Sequence, residues 1–128
     1  MISATSEQPS YCTRFSNGTH QAFSDTTPDK GGRASGFRPH ELLEAALACC
    51  VNMTVRMYAE NHAVPLDSVT TRVTLERGPD HSVFRYEAEF HGDRLTPDQR
   101  SKLLEIAAAC PVRRTLSKAI RFEAAAAR

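Results

Sequence analysis

The sequence predicts an α+β fold. The predicted elements follow the order strand, strand, helix, strand, strand, helix, helix, strand, and such an order favours helices layered against antiparallel strands over alternating parallel units. Two turn signals, Asn17-Gly18 and Gly78-Pro79, each separate a pair of segments with strand character. A chain of 128 residues with 41% hydrophobic residues is long enough to bury one core. We therefore expect residues 1-128 to form a single domain.

The first predicted element is a β-hairpin. Its strands cover residues 10–15 and 20–24, and the Asn17-Gly18 pair between them is a strong local signal for a tight turn. Residues 25–38 are rich in Thr, Pro, Asp, Lys and Gly, which is typical of a surface loop. We expect this loop to end where Pro39 begins a helix, since proline suits the first helical position.

The helix that begins at Pro39 is the longest predicted element and runs to about His62. Strong helix formers fill it, and a spacing of three and four residues places apolar side chains and one cysteine on a single face. We expect that face to be buried. Its members are Leu43, Ala46, Leu47, Cys50, Met53, Thr54 and Met57.

A second hairpin is predicted over residues 69–77 and 83–90. Apolar and polar side chains alternate in both segments, as they do in strands with one buried face. The closing strand of the domain is predicted near the end of the chain, over residues 119–123.

Two further helices are predicted between the second hairpin and the closing strand. Thr96-Pro97-Asp98-Gln99 combines a capping box with proline at the first helical position, and predicts a helix to about Ala109. Pro111 restarts the chain, and a short helix is predicted over residues 112–118. The inward side chains of the first of these helices are predicted to be Leu103, Ile106 and Ala107.

Charge and hydropathy exclude some classes of partner. The formal net charge is +1, and the dibasic pair Arg113-Arg114 is too short for a nucleic-acid surface. The first ten residues have neither a basic start nor an apolar run, and we expect no membrane-spanning stretch of about 20 apolar residues. We therefore predict a cytoplasmic protein with no nucleic-acid and no membrane partner. Reduced thiols are expected in that compartment.

Cys50 and Cys49 are neighbours on the long predicted helix. Cys50 shares the apolar face, whereas Cys49 lies about 100° around the helix, so Cys50 is the more buried of the two. A cysteine on an apolar stripe is often only a small core side chain. An apolar setting also raises a thiol pKa, so a reactive Cys50 needs a nearby cation. The candidates are Arg14, Arg33 and Arg38.

Cys110 directly precedes Pro111 and occupies the predicted N-cap of the last helix. Free backbone N–H groups and the helix dipole at that position favour a thiolate, and Arg113 with Arg114 would strengthen the effect. The alternative is a cysteine that fills an N-cap position by chance. Cys12 lies in a predicted strand, where we expect only core or edge packing.

Other kinds of cysteine chemistry have weaker support. The chain has no Cys-x-x-Cys and no His-x-x-x-His spacing, so a metal site is not predicted. His40 precedes Cys50 by ten residues, nearly three helical turns, which does not favour a Cys-His nucleophile. Glu41 and Glu44 lie in the first helical turns, where the helix dipole stabilises carboxylates.

Several motifs together resemble the OsmC/Ohr family, the osmotically induced and organic hydroperoxide resistance proteins. The resemblance spans about residues 25–120 and rests on two cysteine segments in a fixed order, flanking a strand pair and a capped helix. The matching segments are Asp25, Gly31-Gly32, Gly36-Phe-Arg-Pro-His-Glu-Leu-Leu, Ala-Leu-Ala-Cys-Cys50-x-x-Met, Leu95-Thr-Pro-Asp-Gln and Cys110-Pro-Val-Arg-Arg-Thr-Leu.

This resemblance implies an OsmC-like fold, in which an antiparallel sheet and a long central helix form an intertwined homodimer. It also implies a cysteine-based peroxidase that reduces organic, including fatty-acyl, hydroperoxides. The family's two cysteines fall on Cys50, which is oxidised to a sulfenic acid, and on Cys110, which resolves it to a disulfide. No bound cofactor and no metal are implied. An external dithiol, lipoyl-type or another thiol, reduces the disulfide.

The chain departs from the family at the residues that activate the thiol. Well-characterised peroxidases of the family have a glutamate directly after the helix-opening proline and an arginine in the first hairpin turn. Here His40 follows the proline, Glu41 is one residue further on, and the turn has no arginine. The candidate activating residues are therefore Glu41, Arg14, Arg33 and His40. The alternative function is a dimeric redox-sensing or small-molecule-binding protein without efficient turnover.

Overall fold

A computed structural model describes residues 1–125, which have the mixed α+β structure that the sequence predicts. The chain divides into two compact units. Unit 1 comprises Met1–Ala45 and Leu75–Val83, and unit 2 comprises Ala46–Thr74 and the residues from Phe84 onward. That residues 1-128 form one domain stays a prediction. The elements are β1 (Ser3–Ser6), β2 (Thr13–Ser16), β3 (Gln21–Ser24), a 3-10 turn (Pro28–Lys30), α1 (Pro39–Asn61), β4 (Ser68–Arg77), β5 (Ser82–His91), α2 (Pro97–Ala107) and α3 (Pro111–Leu116).

Unit 1 contains a three-stranded antiparallel sheet in the order β1-β2-β3. The hairpin predicted around Asn17-Gly18 is confirmed. The side-chain carbonyl of Asn17 accepts the N–H groups of Thr19 and His20 at 2.9 and 2.7 Å, and Gly18 has a φ of 97°. Strand β1 was not predicted, because its sequence Ser-Ala-Thr-Ser has no apolar alternation and its hydrogen-bond partners come from β2.

The loop between β3 and α1 is organised by Asp25, whose side chain is only 3% exposed. Its carboxylate accepts the hydroxyl of Ser35 at 2.6 Å and backbone N–H groups of Thr26, Arg33 and Ser35 at 2.8 to 3.1 Å. These hydrogen bonds, led by that from the Ser35 hydroxyl, lower the pKa of Asp25 to about 2. One carboxylate therefore closes a loop of ten residues.

Helix α1 begins at Pro39, as predicted, and ends one residue before the predicted limit. Its buried side chains are Leu47, Val51, Val55 and Ala59, one turn apart along a single line. The predicted buried face is therefore wrong in part, since Leu43, Met53 and Met57 are 43%, 54% and 60% exposed. The helix is apolar on more than one side, so hydropathy alone does not decide which side meets the core.

Helix α1 also corrects an expectation about membranes. Its 23 residues are long and apolar enough to cross a membrane by length and composition alone. A core helix has the same profile, and four of its side chains are buried by the chain itself. Within unit 2, Asn52 and Thr71 bind it to β4 through hydrogen bonds of 2.8 and 2.9 Å to the carbonyls of Val69 and Ala48.

The predicted capping box at the start of α2 is confirmed. Thr96 accepts the N–H of Gln99 at 3.1 Å, and the Gln99 side chain accepts the N–H of Thr96 at 3.0 Å. The helix ends at Ala107 rather than Ala109. Two of the three predicted inward residues, Leu103 and Ala107, are fully buried, while Ile106 is half-buried. With α1, β4 and β5, this helix forms the core of unit 2: Leu47, Val51, Val55, Ala59, Val69, Phe90, Leu95, Leu103, Ala107 and Cys110.

The end of the chain differs from the prediction. Helix α3 is present where a short helix was predicted, but the closing strand over residues 119–123 is wrong: residues 119–125 have no regular secondary structure. Ile120 and Phe122 are 55% and 94% exposed. Apolar residues suggested the strand, whereas a strand also needs a neighbouring backbone to pair with. Residues 126–128, part of the alanine-rich end, lie outside the described part of the chain.

Candidate functional site: a paired thiol

Unit 2 brings two of the four cysteines together. Cys50 projects from α1 and is half-buried against the core of the unit, whereas Cys110, between α2 and α3, has no exposed surface. The Cys50 side chain lies near enough to Cys110 to raise the pKa of the Cys110 thiol. The other two cysteines are placed differently. Cys49 is exposed, as its position around the helix predicts, and Cys12 is half-buried in unit 1.

Cys110 caps α3 through its sulfur, as the sequence predicts. Its Sγ accepts the backbone N–H of Arg113 at 3.3 Å, and its backbone has the extended conformation typical of an N-cap. Pro111 follows at the first helical position, where its missing N–H costs nothing. The local sequence therefore accounts for the placement of this thiol.

The predicted ionisation of Cys110 is wrong. Burial is the largest influence and raises the pKa of this thiol, and the Cys50 side chain raises it further. The N–H groups of Arg113 and Val112 act in the opposite direction but do not compensate. The Arg113 and Arg114 guanidinium groups, which were expected to strengthen the effect, donate hydrogen bonds to the carbonyls of Ala108 and Ala109 at 2.6 and 2.9 Å.

The two thiols are therefore unequal. Burial raises the pKa of the Cys110 thiol, whereas Cys50 is only half-buried. Thr54, one turn along α1, has its hydroxyl oxygen 4.0 Å from the Cys50 sulfur. Cys50 and Thr54 are four residues apart on the helix, a spacing that brings two side chains together. The arrangement can support attack by Cys50 followed by disulfide formation with Cys110.

The four candidate activating residues all belong to unit 1. Arg14 pairs with Glu7 at 2.7 Å, and the exposed Arg33 gives its backbone N–H to Asp25. His40 and Glu41 have contacts with Arg77 and Arg38. Because both thiols belong to unit 2, the role of these four side chains towards Cys50 stays a prediction.

His40 and Glu41 line a polar cavity of about 180 Å³ in unit 1, together with residues of β4 and of the loop before α1. The Nε2 atom of His40 lies 3.5 Å from Nη1 of Arg77. Glu41 forms an ion pair of 2.8 Å with Arg38, whose backbone and side-chain hydrogen bonds lower the pKa of this carboxyl. Among residues 1–125, His, Cys, Asp and Glu side chains form no group of three or more that could hold a metal ion.

Fold and site together define an α+β protein with antiparallel sheets and a thiol pair in which a helix-capping cysteine meets a cysteine of the longest helix. The model of the OsmC-like protein family matches residues 31–125. The chain belongs to the OsmC-like family, which confirms the resemblance predicted from its motifs. No curated protein matches the chain.

Solved structures of the family share the fold. An OsmC-like protein from Mycoplasma pneumoniae is 20% identical, with a TM-score of 0.75 over 91% of this chain and 85% of that one. An organic hydroperoxide resistance protein OsmC from Legionella pneumophila is 19% identical, with a TM-score of 0.65 over 91% and 88%. The organic hydroperoxide resistance protein OhrB of Bacillus subtilis is 15% identical, with a TM-score of 0.62 over 91% and 89%.

Proposed function

We propose that the protein is a thiol-dependent peroxidase that reduces organic hydroperoxides, fatty-acyl hydroperoxides among them. The observation that carries this proposal is the proximity of half-buried Cys50 and fully buried Cys110. Membership of the OsmC-like family supports it, as do structural neighbours named organic hydroperoxide resistance proteins. The unequal burial of the two sulfurs supports distinct roles for them.

The reaction would proceed in two steps at this pair. The Cys50 thiolate attacks the terminal oxygen of the hydroperoxide, the O–O bond breaks, and the alkoxide leaves as an alcohol after taking up a proton. Cys50 is then a sulfenic acid. The Cys110 sulfur displaces its hydroxyl, which leaves with the Cys110 proton as water, and a disulfide forms. An external dithiol, lipoyl-type or similar, restores both thiols by exchange.

The active form would be a homodimer. Met53 and Met57 leave an apolar strip of α1 exposed in the single chain, at 54% and 60%, and a second copy could cover it. Four free cysteines suit a reducing compartment, for which the cytoplasm is our proposal. Sedimentation of the protein with and without Met53→Glu would test the dimer.

The alternative is a redox sensor or small-molecule-binding protein that forms the disulfide without efficient turnover. The contacts of the candidate activating residues favour it. Within unit 1, the Arg14 guanidinium is already paired with Glu7, and the Glu41 carboxylate is already paired with Arg38. Turnover separates the two functions, because a sensor is oxidised once and then stops.

The test is to mix the reduced protein with a slight excess of cumene hydroperoxide and to follow peroxide loss with dihydrolipoamide present. A peroxidase would show many turnovers and a Cys50–Cys110 disulfide by mass spectrometry. Cys50→Ser should abolish peroxide loss, and Cys110→Ser should leave a sulfenic acid that dimedone traps. Cys49→Ser is the matched control. Loss of activity in this variant but not in Cys50→Ser would show that Cys49, rather than Cys50, attacks the peroxide.

A further inference from the structure

Helix α3 has little packing support of its own. It has six residues, none of them buried, although Val112 packs partly against the core of unit 2. Helices of this length do not form in isolation, because the first turn fixes several residues for few hydrogen bonds. Residues 119–125 beyond it have no regular secondary structure. The contacts of its first turn therefore have a large share in holding α3.

Cys110 supplies two contacts of that turn, beside the hydrogen bonds of the Arg113 and Arg114 guanidinium groups to the carbonyls of Ala108 and Ala109. Its sulfur accepts the N–H of Arg113 at 3.3 Å, and its carbonyl accepts the N–H of Arg114 at 3.2 Å. An N-cap side chain satisfies an N–H group that has no partner within the helix. The integrity of α3 is thus tied to the position and chemical state of one sulfur atom.

A disulfide with Cys50 would use the same Cys110 sulfur that caps α3. The two sulfurs of a disulfide lie about 2.05 Å apart, much closer than two sulfur atoms that are not bonded to each other. Cys50 is anchored on a helix of 23 residues whose side chains at positions 47 and 51 are buried. Cys110 is also buried, but it stands at the start of the six-residue α3, so its backbone is held by the shorter helix.

We propose that oxidation of the Cys50–Cys110 pair removes the N-cap of α3 and opens the segment from Val112 to Ser117. Residues 112–117 would therefore be ordered when the pair is reduced and disordered when it is oxidised. This device rests on the disulfide of the proposed function but not on catalytic turnover. In the oxidation, two electrons pass from the two sulfurs to a hydroperoxide, which becomes an alcohol and water.

Hydrogen exchange measured by mass spectrometry tests the proposal. The reduced protein is compared with protein oxidised by cumene hydroperoxide or by diamide, and the disulfide is verified by peptide mapping. Amides of residues 112–117 should exchange about five-fold faster or more after oxidation, as expected for a lost N-cap. Peptides from β4 and β5 should not change.

Variants of Cys110 separate capping from disulfide formation. Cys110→Ser keeps an N-cap acceptor but cannot form the disulfide, so its exchange should not respond to either oxidant. Cys110→Ala should exchange fast over residues 112–117 even when reduced. Cys49→Ser should behave as the unaltered protein and so controls for the loss of a thiol.

Two outcomes would overturn the proposal: a verified disulfide with unchanged exchange over residues 112–117, or no disulfide with either oxidant. Failure of the peroxidase function is recognised separately. If diamide forms the disulfide but hydroperoxide does not, the peroxidase proposal fails, while the exchange result still decides the behaviour of α3.

Discussion

The carboxylate of Asp25 accepts the hydroxyl of Ser35 at 2.6 Å across a loop of ten residues. The same carboxylate accepts three backbone N–H groups, so a single buried side chain holds the segment that leads from β3 to α1. Gly36 continues this segment past β3 so closely that a β-carbon would collide with the carbonyl oxygen of Phe23. The conformation of the loop therefore depends on the charge of Asp25 and on the absence of a side chain at Gly36.

Acid should weaken this loop. The pKa of Asp25 is about 2 in the folded protein against 3.8 for an ordinary aspartate, so its contribution to stability is complete above pH 4 and disappears as the pH falls towards 2. Asp25→Asn should be less stable than the unaltered protein at pH 7, and the difference should shrink below pH 4. Urea unfolding at a series of pH values measures it. A difference that does not depend on pH would contradict the assignment, and the exposed Asp80→Asn is the control.

Two neighbouring leucines of α2 should differ sharply in their importance for stability. Leu103 is fully buried, whereas Leu104 is 54% exposed. Leu103→Ala should lower the free energy of unfolding by about 2 to 5 kcal/mol, because it removes apolar contacts and leaves a cavity. Leu104→Ala should cost roughly 0.5 kcal/mol or less, as at other surface positions. Urea denaturation of both variants checks the pair, and equal losses would contradict the described packing.

Removal of the cap of α2 should have a smaller effect. Thr96→Ala deletes the hydroxyl that accepts the N–H of Gln99 and should cost about 1 kcal/mol. Thr96→Ser keeps an N-cap oxygen and should retain most of that stability. Thermal unfolding compares them. If the serine variant lost as much as the alanine variant, the methyl group of Thr96 rather than its hydroxyl would be responsible.

The cysteines should differ in their rate of alkylation. Cys49 is exposed, while Cys110 is fully buried and burial raises the pKa of its thiol. Since only the thiolate reacts, iodoacetamide at pH 7.5 should modify Cys49 well before Cys110. Peptide mapping at timed intervals gives both rates, and urea should remove the difference. Rapid modification of Cys110 in the folded protein would show that the thiol is not shielded.

The features that the sequence predicted correctly are those set by a few neighbouring residues. The Asn17-Gly18 turn, Pro39 at the start of α1 and the capping box at Thr96 each depend on local backbone chemistry. The motifs also led to the correct family.

The features that were missed depend on residues distant in sequence. Strand β1 exists through its pairing with β2, and α1 buries the line through Val51 and Val55 because of the elements packed on it. For Cys110, the sequence predicted the N-cap but not the burial, and burial decides the direction of its pKa. The contact between Cys50 and Cys110 joins positions sixty residues apart, so it entered only through the family resemblance.

The chain crosses between its two units more than once, and this limits how the protein can be cut into fragments. The chain passes from one unit to the other after Ala45, after Thr74 and after Val83, and these three points fall inside α1, β4 and β5. No single cleavage can therefore release either unit as an uninterrupted peptide without breaking a helix or a strand. For the same reason, neither unit can be transferred to another protein as one continuous segment.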